Sequence, residues 1–301
     1  MKKLATLILA LCIILSAFAL TACGDTTPAD GTTPSGEQSG SNTDNKTDNK
    51  TDSNTENKTD NADNKTEASA YETVSAAIEK TLKAKSYEAN LDTLRKNDLL
   101  GYKSEDTVKC TIKATAADTD QVKASSVGKI TTQGQEMDQN YYYEGGWKYF
   151  GSEEMGRYKS QVTFEDFAKE IGAPQTVIKT LPEAIFGSAQ SQKNDDGSLT
   201  VTIPVDETNI ETIYKDAITE IVYDVVGNDL NQSLTKDASI VVTVADGYVR
   251  EYKVAFVCEI TAGNDRVAYD ITNTLTFVSV DKDVTVAAPG NLNDYNELDW
   301  G

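Results

Sequence analysis

The sequence predicts an α+β domain, built as one large curved antiparallel sheet with helices against one face. Three observations predict it. Several stretches alternate apolar and polar residues with period two, the pattern of a sheet buried on one face. The last third of the chain is almost continuous strand pattern, broken by short turns such as Asp246-Gly247. Between these lie helical stretches whose broad apolar stripes need a sheet to cover them.

The chain opens with Lys2 and Lys3, runs through uncharged apolar residues from Leu4 to Leu20, and closes the run with Leu20-Thr21-Ala22-Cys23. A basic start, a short apolar run and small residues before a cut predict a secretory signal peptide over residues 1–22. The run is slightly short of the roughly 20 residues a membrane span needs. Leu20-Thr21-Ala22-Cys23 resembles the lipobox of bacterial lipoproteins. The resemblance implies cleavage before Cys23 and a diacylglycerol thioether on its sulfur, so Cys23 is the lipidation site and the membrane contact. An ordinary secretory signal that happens to contain a cysteine is the alternative. Acyl chains contribute about 0.8 kcal/mol per buried CH₂. The expected location is the extracytoplasmic face of the cell membrane.

Residues 23–69 carry that cysteine and then an acidic tether. From Gly24 on it has no aromatic and no branched aliphatic residue, and a loose Thr-Asp-Asn-Lys unit recurs at 43–46, 47–50 and, with Glu, at 55–58. Such a segment has too little apolar surface to offset its ordering entropy, so it is expected to be disordered. As a coil it would span roughly 40 Å, and stretched it would reach roughly 150 Å.

Residues 70–301 are long enough for one substantial core. The formal net charge of the chain is −20, most of it in this domain. That balance argues against a nucleic-acid partner and against docking on anionic headgroups.

Ser69 and Glu72 form a capping box before a helix with Tyr71, Val74, Ile78 and Leu82 on one side. Tyr87, Ala89 and Leu91 then alternate with Glu88, Asn90 and Asp92, as Val108, Cys110 and Ile112 do with Lys109, Thr111 and Lys113. Tyr141-Tyr142-Tyr143, then Glu144-Gly145-Gly146, then Trp147-Lys148-Tyr149-Phe150 predicts a tight hairpin, the glycines supplying positive φ. Thr163 is expected to cap a short helix carrying Phe164, Phe167 and Ile171, ended by Gly172 and Pro174. One or two further helical turns are expected over 175–187. A hairpin at Asn194-Asp195-Asp196-Gly197 leads into Leu199, Val201, Ile203 and Val205, with Pro204 at a strand end or an edge.

The longest helix follows. Thr208 and Glu211 read as a second capping box. Ile210, Ile213, Tyr214, Ala217, Ile218, Ile221, Val222, Val225 and Val226 form its stripe, closed by Gly227. Ile240, Val242 and Val244, then Tyr252 to Ile260, then Val267 to Phe277 complete a meander.

This order of elements resembles the LolA-like and LppX-like lipoprotein fold. Tyr142-Tyr143-Glu144-Gly145-Gly146-Trp147-Lys148-Tyr149 and Gly247-Tyr248-Val249-Arg250-Glu251-Tyr252 carry the resemblance locally. It implies a half-barrel with helices packed on its concave face, and a space between them that accepts acyl chains.

The chain has no histidine. That removes Ser-His-Asp and Cys-His catalysis and His-ligated zinc. Cys110 and Cys258 are too few for a Cys₄ site; they form one bridge or stay as buried free thiols. No phosphate-cradling glycine loop is present. Carboxylates are plentiful, but no pair is marked out as a glycosidase pair would be. Asp195, Asp196, Asp118 and Asp120 lack the spacing of a calcium loop and read as solvated turns. No cofactor and no metal are expected.

The reading is a non-enzymatic, surface-tethered binding protein for an apolar or lipidic ligand. Tyr141, Tyr143, Trp147, Phe167, Ile218 and Phe256 are its candidate ligand-binding residues. Cross-strand packing competes with that role for the hairpin aromatics. A structural or protein-interaction module of the cell envelope with a solid core, meeting a protein partner, is the alternative.

Overall fold

The computed structural model describes residues 68–152, 156–226, 233–262 and 265–298. The expected signal peptide, Cys23, the expected tether up to residue 67, and Gly227 lie outside the described residues, as do the side chains of Val225 and Val226.

Helix α1 (Ala70–Leu82) starts as expected. The Ser69 hydroxyl accepts from the Glu72 N–H at 3.1 Å, and the Glu72 carboxylate accepts from the Ser69 N–H at 2.8 Å. The long hairpin β1 (Tyr87–Leu99) and β2 (Tyr102–Thr115) follows. Strands β3 (Lys123–Thr132), β4 (Gln135–Glu144), β5 (Trp147–Ser152) and β6 (Gly156–Gln161) continue the meander. After α2 (Phe164–Glu170), α3 (Pro174–Val177) and a 3₁₀ turn at Glu183–Ser188, β7 (Gln190–Lys193) and β8 (Leu199–Val205) form a short hairpin. Helices α4 (Glu207–Ile213) and α5 (Lys215–Val226) lead to β9 (Ser233–Ala245), β10 (Tyr248–Ala262) and β11 (Asp265–Val280). A two-residue strand, β12 (Asn296–Glu297), ends the described chain.

All twelve strands form one open sheet in the order β12-β6-β5-β4-β3-β2-β1-β11-β10-β9-β8-β7. Every pairing is antiparallel except β12 on β6. The first and last long strands, β1 and β11, meet in the middle, so the chain's two meanders join there.

Register lines up the apolar side chains. Leu91 faces Cys110 on one side and Leu275 on the other, and Leu275 faces Tyr252, which faces Val242. All five are at most 5% exposed. Strand alternation therefore puts one continuous apolar surface on one side of the sheet. The helices bury their own stripes on it: Val74 and Ile78 of α1, Phe167 of α2, Ile210 of α4, and Ile218 and Val222 of α5 all join this one core. We call this the inner face. A bulge between β1 and β11 shifts the register after Phe277. It leaves Val278 exposed and returns Val280 to the inside.

Two expectations are corrected. The long helix is capped by Asp206, whose carboxylate accepts from the Asn209 N–H at 2.9 Å, and not by a box at Thr208 and Glu211. Asp is as good a cap as Thr, and Asp206 immediately follows β8. The helix is also two, broken at Tyr214, whose φ of −115° leaves the helical region. Pro204 sits where expected: β7 pairs with β8 only as far as Thr202, so Pro204 lies on an open edge.

Cys110 and Cys258 are free and buried. Strands β1 and β11 separate β2 from β10, three inter-strand steps or about 14 Å, so no bridge fits.

Candidate functional site

The inner face has an apolar floor and a polar end. The candidate residues Phe167, Ile218 and Phe256 are on the floor, each at most 4% exposed. Tyr143 reaches it from β4 and packs on Phe167 at 5.2 Å and Phe164 at 5.4 Å between ring centroids. Phe256 packs against Tyr214, whose hydroxyl shares a 2.8 Å hydrogen bond with that of Tyr252. Both phenols are buried. Desolvation holds Tyr252 at about 12 and Tyr214 well above the ordinary phenol value, so both are neutral.

Tyr141 shares the parity of Tyr143, is half-buried and packs edge-on against Phe150. Trp147 does not join them. It packs beside Tyr142, Tyr149 and Tyr295 in a separate small cluster on the opposite, outer face. Tyr149 meets Tyr295 edge-on at 5.3 Å, which fastens the segment after β11 across that face. Beneath this segment lies a cavity of about 470 Å³, lined by Lys113, Asn140, Tyr141, Tyr142, Arg157 and Tyr295 among others. A second cavity of about 450 Å³ lies among Lys96, Glu105, Val257 and Asp270, all on the outer parity.

The polar end of the inner face is the part that alternation alone did not single out. Thr93, Arg95 and Asn97 continue the parity of Leu91, and Asp106 that of Val108, so all four point inward. Asp106 is 5% exposed and Asn97 6%. The Asp106 carboxylate accepts from Arg95 Nη2 at 3.0 Å, Asn97 Nδ2 at 2.7 Å and Thr132 Oγ1 at 3.0 Å. It also accepts from the Gln133 N–H at 3.4 Å, which ties down the β3–β4 turn. The Arg95 guanidinium lies 5.7 Å from the Tyr269 ring centre. Burial raises the Asp106 pKa, but the hydrogen bonds from Asn97 and Arg95, the Arg95 charge and Thr132 outweigh it. The carboxyl is held below its usual value.

Buried polar atoms without a partner at this end include Arg95 Nε, Asn97 Oδ1 and Asn273 Oδ1. Asn97 already spends its NH₂ on Asp106 and on Ser104 Oγ at 3.1 Å, so its carbonyl oxygen is the free atom. Asn273 is 2% exposed and faces Thr93 across the β1–β11 pair. Such atoms are rare in native interiors because each carries an uncompensated desolvation cost.

Among the described residues no group of three His, Cys, Asp or Glu side chains gathers as a metal site requires. Asp196 is engaged by Ser198 and by Arg250 at 2.5 Å.

No family model matches the chain, and no curated protein does. Solved structures with a similar course include LprF from Mycobacterium bovis, with 12% identity over 74% of this chain and 97% of that one, and a TM-score of 0.38. The LolA superfamily protein NE2245 from Nitrosomonas europaea has 10% identity over 72% and 96%, with a TM-score of 0.24. Lipovitellin, in a structure of its lipid–protein interactions, has 8% identity over 69% of this chain and 26% of that one, with a TM-score of 0.27. At these scores the likeness adds nothing on function, which rests on the chain's own residues.

Proposed function

We propose that the chain is a non-enzymatic binding protein, held by a lipid on Cys23 at the extracytoplasmic face of a membrane, that takes an amphiphile on the inner face of its sheet. The acyl part would lie on the floor around Phe167, Ile218 and Phe256. The polar part would meet Arg95, Asn97 and Asn273. The observation that carries this reading is the set of unpartnered polar atoms at one end of an otherwise apolar surface, the composition a pocket for an amphiphile needs. Asp106 already balances the Arg95 charge, so the polar end favours an uncharged hydroxyl, ester or amide over a free phosphate.

Native mass spectrometry of the full chain, extracted from its own membrane in mild detergent, tests the binding. A retained lipid mass is expected, and Asn97→Leu with Asn273→Leu should weaken uptake of a diacylglycerol at least tenfold. Protein that carries no lipid and takes up none contradicts the reading. Cys23→Ala should move the chain from the detergent phase to the aqueous phase; a variant that stays behind contradicts the anchor.

A solid-core interaction module is the second reading. It is favoured by the many inner side chains at or near 0% exposure, Ile203, Ile240 and Val254 among them.

A further inference from the structure

Among the described residues, six large hydrophobic side chains are exposed, and four gather at one end of the sheet. Leu99, Leu100 and Tyr102 form the β1–β2 tip, at 38%, 65% and 66% exposure. Leu234, the second residue of β9, lies at the same end.

The tip is unusual among this protein's own turns. Among the described residues, four two-residue hairpin turns have positive φ at both positions: Leu100-Gly101, Gln133-Gly134, Gly145-Gly146 and Asp246-Gly247. Three put glycine or a polar residue first, as that backbone prefers. Only Leu100 is a bulky apolar residue, held at φ 57° with its side chain in water. Both the backbone and the exposure are unfavourable, and an outlier of this kind points to a use outside the fold. The tip is also pre-formed, because the Asp98 carboxylate accepts from the Gly101 N–H at 3.1 Å.

We propose that the β1–β2 tip inserts into the outer surface of the bilayer to which the chain is tethered. This goes beyond the ligand reading but rests on the proposed anchoring. Three arguments select a bilayer. Three or four side chains fall far short of the roughly 800 Å² per partner that a stable protein interface buries. Leucine beside tyrosine suits the boundary between acyl chains and headgroups. Lys96 and Lys103 stand beside Asp98, Glu105 and Asp270 just behind the tip, so this end is within one charge of neutral on a chain of net charge −20. A tip this small binds weakly alone. A tether of residues 24–69, with a coil span of roughly 40 Å, would keep it at high local concentration. The insertion would also bring the polar end at Arg95 and Asn97, a few residues behind the tip, close to the lipid surface.

The test uses the chain from Cys23 to Gly301, coupled through the Cys23 thiol to a maleimide lipid in phosphatidylcholine vesicles. Chemical coupling makes the result independent of acylation in the cell, which the mass of the native N-terminus reports separately. With Tyr102→Trp, and the parent spectrum subtracted, the introduced indole should emit to the blue of its value in buffer. Phosphatidylcholine brominated in its acyl chains should quench it at least twofold. Leu100→Asp in the same chain should abolish both effects, with an unchanged circular dichroism spectrum. A water-like emission and no quenching, on vesicles shown by flotation to carry the protein, would overturn the proposal.

Discussion

Replacing Asp106 by alanine tests the polar end of the inner face most directly. Its carboxylate is 7% exposed and the Arg95 side chain 16%, so solvent screens their 3.0 Å contact only slightly. Alanine strands the guanidinium, the Asn97 amide and the Thr132 hydroxyl, and frees the turn at Gln133. Removing one partner of a buried pair costs about 3–5 kcal/mol. In a domain of this size each kcal/mol moves Tm by about 2–4 °C, so a fall of roughly 6–20 °C is expected. Circular dichroism melts at pH 7 measure it. The pair Arg95→Met with Asp106→Leu should recover most of the loss, since matched apolar residues replace buried ion pairs at little cost.

The dependence on pH carries a sign. The folded pKa of Asp106 lies below its unfolded value of about 4, so its contribution is full above that value and is lost as pH falls through the folded one. The gap between the parent and Asp106→Asn should hold steady from pH 7 to 5 and shrink below 4. A loss under about 1 kcal/mol for Asp106→Ala, or a gap indifferent to acid, would refute the account of a buried, matched cluster.

Other expectations follow from single contacts. Phe167→Ala empties a fully buried site against Tyr143 and should cost about 3–5 kcal/mol in urea titrations. In Gly128→Ala the new Cβ would lie 2.0 Å from the Lys109 carbonyl oxygen and 2.5 Å from Cys110 Cα, both backbone. The strands must part, so a loss of about 1–3 kcal/mol or more is expected in the same titrations. Burial pushes the Cys110 and Cys258 thiols up to about 11 each, so at pH 8 neither should react with a thiol reagent until the domain unfolds. Asp206→Ala should lower Tm while Thr208→Ala leaves it nearly unchanged; the reverse order would restore the discarded capping box.

Much of the fold could be read from residue order. The Ser69–Glu72 box, the Gly145-Gly146 turn and the separation of Tyr141 and Tyr143 from Tyr142 are local, and each appears as expected. The inner polar cluster was open to the same parity argument, since Asn97 and Asp106 fall on the apolar parity of their strands. Polar residues read as outward-facing hid it, because the groups that satisfy them come from other strands. Asn273 is hidden in the same way, one polar residue within an otherwise apolar row. For Trp147, parity fixes the face, but only the distant Tyr295 shows that the outer face is covered there.

By itself the sequence determined the hairpins and helices with a clear apolar period and which side of each is apolar, because those properties are set by residues two to four positions apart; β3 and β6, with weaker alternation, were not legible in it. The tertiary structure decided that β1 and β11 pair at the centre, that the long helix breaks at Tyr214, and that a charge is buried at Asp106. These depend on partners up to about two hundred residues away, and the desolvation of a carboxylate is offset only when such partners are in place.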